Sequence, residues 1–191
     1  MSPNLNVYSS YADRLPGEYL LYVNTSALST VVRPTGLACA AHSYPLDAQD
    51  VFRVSALRTM QQLVENVQLV DRPISGDALV RAGKAGMIIV HAESLSARII
   101  FIEGFFSSTG EGSVDLAASI AVNTPAGRVL GTSAGGDSTQ QAPAGSACEG
   151  GAEAIGRATE MAMREVLGQL GERMSNSTRL RQPIAAVSPG S

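Results

Sequence analysis

The chain has 191 residues, 45% of them hydrophobic and 16% charged, and a formal net charge of −3 at pH 7. This length and composition fit one domain with a sizeable core, and the slightly acidic balance lacks the clustered basic residues of nucleic-acid-binding proteins. The apolar runs are four or five residues long, as at Ile99 to Ile102. They are far shorter than the roughly 20 residues of a membrane-spanning helix.

The N-terminal part of the chain is polar and then becomes strand-like. Residues 1–16 lead into a Pro-Gly turn signal and are predicted to form a flexible arm or tether. Residues 18–24 are rich in aromatic and aliphatic side chains, which predicts a strand. Further extended segments are predicted at 30–33 and 36–44.

Two amphipathic helices are predicted from apolar side chains at helical spacing. The first begins at Asp47, a suitable N-cap, and runs to about Asn66, and the last spans roughly 151–174. A shorter helix is expected at 76–82. The first apolar stripe comprises Phe52, Ala56, Met60, Leu63 and Val67, and the last comprises Ile155, Ala158, Ala162, Val166, Leu170 and Met174. The last helix also contains Gly156, Gly168 and Gly171, which predict that it packs very closely against a sheet.

Long strands are predicted between these helices. Residues 87–102 are predicted to form one strand, bent near 92–94. Residues 105–122 are predicted to form the next strand, with a bulge or bend at Gly110-Glu111-Gly112. Such long strands can form a meander when short turns join them.

The second half of this region continues with a turn and a return strand. Residues 123–127 are predicted to be a hairpin turn and 128–133 the start of the return strand. The low-complexity stretch 134–151 is predicted to be a loop. The predicted fold is therefore α+β, with a mostly antiparallel sheet of long strands and two amphipathic helices packed on one face. The predicted domain covers 17–175, and 176–191 is expected to be a loose tail.

The chain has two cysteines, Cys39 and Cys148, each just before a predicted helix. If they pair, one disulfide ties the start of the fold to its last helix and places the protein in an oxidising compartment. The alternative is a reactive thiol at Cys39, for which His42 three residues later is the nearest base in sequence. Neither the cysteines nor the two histidines have the spacing of a local metal site, so no metal and no cofactor is predicted.

The N-terminus shows no basic and apolar signal-peptide pattern. Two interpretations stay open. The protein could act in the cytosol, or a signal could have been removed and Met1 added as an expression start. The cysteine pair favours the second interpretation.

One motif has the spacing of a nucleophile elbow. Gly131-Thr132-Ser133-Ala134-Gly135 matches G-x-S-x-G, in which a strand-to-helix turn exposes the serine. No helix is predicted after it, and both histidines, His42 and His91, precede it. A glycine- and serine-rich strand end explains the motif better, so no catalytic residue is predicted and the protein is expected not to be an enzyme.

The order of the predicted elements resembles a group of bacterial envelope lipoproteins. The resembling segments span about 18–174 and are Tyr19 to Asn24, Phe52 to Val67, Ala126 to Gly131, and Ala154 to Leu170. The group includes the YajG-like lipoproteins, the auxiliary lipoproteins of ABC-type lipid transporters and the N-terminal domains of curli-secretion-type lipoproteins. The resemblance implies a mixed sheet with two helices on one face. It also implies a non-catalytic role in the periplasm or at the outer membrane.

The resemblance yields a first functional hypothesis and two rivals. The first is an assembly factor or transport accessory that binds protein partners of an envelope complex, with self-assembly left open and no nucleic acid. Membrane contact would come only from a lipid anchor that this chain lacks. The second is a lipid carrier with Phe101, Phe105, Phe106, Met161 and Met163 near an apolar cavity. The third is a serine hydrolase that uses Ser133.

Overall fold

The computed structural model describes residues 13–104 and 107–181. The elements in chain order are β1 (Leu15–Asn24), β2 (Ser29–Val32), β3 (Tyr44–Asp47), α1 (Gln49–Leu63), β4 (Val64–Leu69), α2 (Gly76–Arg81), β5 (Gly86–Glu103), β6 (Ser108–Thr124), β7 (Gly127–Pro143), α3 (Gly150–Ser175) and α4 (Thr178–Arg181). Strand β1 thus begins two residues before the predicted domain start, and α4 lies beyond its predicted end. Most of the predicted arm and tail lies outside the described residues.

The main sheet is mixed, with the strand order β4-β1-β5-β6-β7. Strand β1 runs parallel to both β4 and β5, and the pairs β5–β6 and β6–β7 are antiparallel. The predicted α+β class is confirmed, but the expectation of a mostly antiparallel sheet is wrong for its β4-β1-β5 half. The reason is that α1 lies between β1 and β4 in sequence, and a helical crossover returns the chain in the parallel direction.

The two long helices share one face of the sheet, as predicted. Residues of β6 alternate strictly, and Val114, Leu116, Ala118, Ile120 and Val122 point into the core shared with α1 and α3. The short helix α2 covers the opposite face at one end, where a second, smaller core cluster contains Leu20, Leu79 and Met87. No helix among the described residues packs on the rest of that opposite face, on β5, β6 and β7.

The strands β5, β6 and β7 form a ladder of 17 or 18 residues each. The predicted bend at 92–94 is confirmed, because the register with β6 shifts between Ala92 and Ser94. Of the bulge or bend predicted at Gly110 to Gly112, the bulge is wrong, since pairing continues through these residues on both sides. Gly112 instead makes room for α3: an added Cβ would lie 2.7 Å from the backbone nitrogen of Ile155.

Glycines of the strands and of the first turn of α3 allow the close approach between this helix and the sheet. A Cβ on Gly136 of β7 would lie 2.8 Å from the carbonyl oxygen of Ala162. In contrast, nothing lies within 4 Å of a Cβ added to Gly156 or Gly168. The helix therefore packs tightly, as predicted, but these two helix glycines are not the cause.

The limits of several elements differ from the prediction. Helix α1 has Ala48 at its N-cap position, while Asp47 accepts a hydrogen bond of 3.1 Å from the Gln49 backbone N–H. The helix ends at Leu63, and β4 begins at once at Val64. Within residues 13–104 and 107–181, no helix combines the length and apolar character needed to cross a bilayer.

Candidate functional site

The predicted pairing of the two cysteines is present in the structure. Cys39 lies in the loop between β2 and β3, Cys148 lies just before α3, and their Cα atoms are 6.1 Å apart, within the range that a disulfide spans. Both residues have positive φ, 57° and 58°, a conformation that is uncommon for residues other than glycine. The bond joins the β2–β3 hairpin to the start of the last helix.

Tyr44 of β3 supports the same junction. Its hydroxyl donates a hydrogen bond of 2.7 Å to the carbonyl oxygen of Cys148, and its ring lies between those of His42 and Phe101 at centroid distances of 6.5 and 6.4 Å. Burial raises the pKa of the Tyr44 hydroxyl, and the nearby Glu149 carboxylate raises it further. The neutral hydroxyl is therefore the form that this junction favours.

Among the described strands, β7 forms one edge of the sheet along its whole length. Just past its end, the Ala144 N–H donates to the Ser108 carbonyl oxygen at 2.8 Å. Because hydrogen-bonding groups alternate along an antiparallel strand, the even-numbered residues before it also bond β6. The odd-numbered residues from Gly131 to Pro143 consequently direct their backbone groups away from the sheet.

Part of this edge is already covered by side chains of α3. Arg173 donates to the carbonyl oxygen of Ser133, and Gln169 donates to that of Gly135 at 3.3 Å. Pro143 ends the strand at an outward position, where its missing N–H costs nothing. Between these features, Asp137, Thr139 and Gln141 present outward N–H and C=O groups with no described backbone partner. We call residues 137–141 the open edge.

The sequence prediction missed the open edge, because it assigned 134–151 to a loop. In the structure this stretch continues β7 as far as Pro143. A period of two was nevertheless present, since Ala134, Gly136 and Ala142 are buried and the intervening odd residues are mostly exposed. These buried residues are small, so the alternation carries little hydropathic contrast.

Ser133 lies within β7 rather than at a strand-to-helix turn. The register aligns His91 with Ser119 and Ser119 with Ser133, so Ser119 stands between the histidine and the candidate nucleophile. In the described part of the chain, no hydrogen bond links these three side chains. His42 lies instead beside Tyr44. The geometry therefore lacks the contact between nucleophile and base that defines an activated serine.

Of the five residues predicted near an apolar cavity, the three that the structure describes do not line a common one. Phe101 packs near Tyr44, Met163 is a buried residue of α3 that lines a pocket with Val51 of α1, and Met161 is 44% exposed. Phe105 and Phe106 lie outside the described residues. Over 13–104 and 107–181, no group of three or more His, Cys, Asp or Glu residues could hold a metal ion.

Comparison with known proteins finds similarity only to solved structures. No protein-family model matches the chain, and no curated protein matches it. Protein XCC0632 from Xanthomonas campestris, described under the family model DUF330, is 12% identical with a TM-score of 0.49, covering 90% of this chain and 92% of that one. A putative neuraminyllactose-binding hemagglutinin homologue from Helicobacter pylori is 10% identical with a TM-score of 0.48, covering 91% and 92%.

A minor lipoprotein from Acinetobacter baumannii is also similar. It is 6% identical with a TM-score of 0.42, and the match covers 83% of this chain and 90% of that one. At these identities and TM-scores, none of the three structures supports an argument about what this chain does.

Proposed function

We propose that this chain is a non-enzymatic accessory protein of the bacterial envelope, which docks a protein partner by adding a strand of that partner to the open edge. The observation that carries the proposal is the set of outward backbone groups at Asp137, Thr139 and Gln141. Five residues of an extended partner strand can form hydrogen bonds with these groups. In this binding mode, main-chain hydrogen bonds provide the affinity.

The side chains around the open edge fit a partner strand. Thr139 bonds the Ser113 hydroxyl at 3.0 Å, and Gln141 bonds the Glu111 carboxylate at 2.7 Å. These contacts hold the two side chains toward β6 on the open face, away from the path of an added strand. The strand is also backed by α3, which packs on its buried residues, so that docking requires little reordering.

The envelope location is supported by the disulfide. A cysteine pair joined across the fold persists in oxidising compartments, such as the periplasm, and is rare in the cytosol. We place the protein in the periplasm, with outer-membrane attachment through a lipid anchor as the finer proposal. Fractionation of cells that express the full native gene tests this placement, and recovery of the protein only in reduced form from the cytosol would contradict it.

Size-exclusion chromatography with light scattering tests the docking proposal. We expect either a self-assembled species heavier than the 19.8 kDa chain or a stoichiometric complex with an envelope protein. A strictly monomeric protein that forms no complex in the native envelope fraction would contradict docking. Labelling with a fluorophosphonate probe tests the alternative of a serine hydrolase that uses Ser133, and we expect Ser133 to stay unmodified.

A further inference from the structure

A second feature lies on the face of the sheet opposite α1 and α3, in the part beyond α2. A cleft of about 490 Å³ opens there across β5, β6 and β7. Its lining includes the small residues Ser119, Ala121 and Gly131 on one face, and Ile89 adds an apolar side chain beside this floor. The larger side chains of His91, Glu93 and Arg128 stand around this floor.

The bulge in β5 shapes one end of the cleft. Glu93 is the residue left without a partner where the register shifts between Ala92 and Ser94. Bulges commonly redirect a side chain in this way. Its carboxylate is exposed at the rim and forms no ion pair with a described residue. This end of the cleft can therefore accept hydrogen bonds and attract a positively charged group.

Arg128 shapes the other end. A Cβ added to Gly131 would lie 3.6 Å from Cδ and 3.9 Å from Nη1 of Arg128, so the arginine side chain extends over that glycine along the floor. No described carboxylate pairs with its guanidinium. The hydroxyls of Ser119 and Ser133 lie beyond it toward His91. This end is therefore a donor site suited to an anionic oxygen group.

We propose that this cleft binds a small zwitterion, with a phosphate or carboxylate group against Arg128 and an ammonium group near Glu93. The hydroxyls of Ser119 and Ser133 and the ring N–H of His91 donate hydrogen bonds between these two ends. The opposite charges of the two ends specify the orientation of the ligand. The ligand can come as a free molecule or as the headgroup of a zwitterionic lipid, because the recognised chemistry is the same.

Titration of the isotope-labelled full chain by NMR, with phosphoethanolamine as the probe, tests the proposal. We expect shift changes centred on the cleft, which Arg128→Gln weakens about tenfold or more, since a charge-assisted contact is lost. Glu93→Gln is expected to remove the preference for phosphoethanolamine over inorganic phosphate. Gly131→Val, which fills the space under the arginine, is expected to abolish binding. The signals of residues outside the cleft should still show a folded chain.

Arg98→Gln is the matched control, because Arg98 is an exposed arginine on β5 that aligns with Ser113 outside the cleft. We expect it to bind as the unmodified chain does. Vesicles with and without phosphatidylethanolamine then distinguish the two sources, since lipid binding predicts selective co-sedimentation and a free ligand predicts none. Absence of shift changes at the cleft, or equal weakening by Arg98→Gln and Arg128→Gln, would overturn the proposal.

Discussion

Gly136 lies directly under α3, where a Cβ would stand 2.8 Å from the Ala162 carbonyl oxygen and 3.0 Å from Cγ2 of Val166. Both the strand and the helix are held by many other contacts, so neither can move away freely. We expect Gly136→Ala to lower the free energy of unfolding by about 1–3 kcal/mol, as overpacking does. Urea denaturation measures this change.

Gly168 provides the control for that substitution. It lies in α3 itself, and nothing lies within 4 Å of a Cβ added there. Gly168→Ala is expected to raise the free energy of unfolding by about 0.5–1 kcal/mol, because alanine favours the helix. Equal stabilities of the two variants would mean that the sheet glycines do not set the distance to the helix.

Tyr44, which contacts the disulfide junction, makes the stability of the folded chain depend on pH in the alkaline range. Burial and the Glu149 carboxylate raise the pKa of its hydroxyl above the ordinary 10.0, so the unfolded chain loses this proton first. The part of the free energy of unfolding that depends on this pKa difference is fully present below pH 10. It is lost as the pH rises through the folded-state pKa. Tyr44→Phe also removes the hydrogen bond to Cys148, which is expected to cost about 0.5–1.5 kcal/mol at neutral pH.

The pH dependence of unfolding separates these two effects of Tyr44→Phe. We expect the variant to be less stable at pH 7 but to lose less stability between pH 9 and about pH 11 than the unmodified chain. Burial also raises the pKa of Tyr19. Because Tyr19 is present in both proteins, both are expected to lose some stability at alkaline pH. Parallel stability curves would show that Tyr44 does not contribute to it.

At the level of elements, the disulfide joins the β2–β3 hairpin to α3 across a sequence separation of 109 residues. Closing so long a loop is worth about 4–5 kcal/mol in the chain-entropy model. We expect Cys39→Ala/Cys148→Ala to lose most of that stability, as measured by denaturation against the oxidised chain. The reduced unmodified chain should unfold at a similarly low denaturant concentration.

The positive φ of both cysteines requires a second variant as control. Alanine at φ 57° and 58° adds backbone strain, whereas glycine accepts this conformation. Cys39→Gly/Cys148→Gly therefore separates the lost crosslink from the strain of the alanines. If either double variant unfolded at the same midpoint as the oxidised chain, the disulfide would have no stabilising role.

The strands of this fold differ in how well the sequence predicts them. Strand β5 was predictable because its apolar side chains are large and form runs at 87–90 and 99–102, and its bend lies in the small and polar stretch between them. The second half of β7 was not, because its buried positions are alanines and glycines. Their burial depends on contact with α3, a long-range effect that local hydropathy does not report.

The direction of strand pairing was also not predictable from local pattern. Strand β1 has apolar residues on both faces, with Leu21 toward α1 and Leu20 toward α2, as is typical of a strand within a parallel region. The short helix α2 gave too weak a signal to identify the second covered face. As for the candidate site, the cysteine pair was predictable, whereas the open edge and the cleft depend on the register of three strands.

On the scale of the whole molecule, docking at the open edge predicts a specific effect of proline. Thr139→Pro removes an outward N–H and leaves the even-numbered residues free to bond β6. We expect this variant to remain folded but to lose self-assembly or partner binding at least tenfold. Thr139→Ala removes the hydroxyl contact with Ser113 and keeps the N–H, so it should assemble normally in light-scattering measurements. Equal assembly of both variants would exclude this edge as the docking surface.

Amide hydrogen exchange at Asp137, Thr139 and Gln141 tests strand addition most directly, because these residues carry the N–H groups that a docked strand would bond. In the isolated chain their outward amides are expected to exchange much faster than the amides of neighbouring even-numbered residues. In the assembled species we predict that exchange at all three slows at least tenfold. A stable assembly in which these three amides exchange as fast as in the isolated chain would contradict the proposed function.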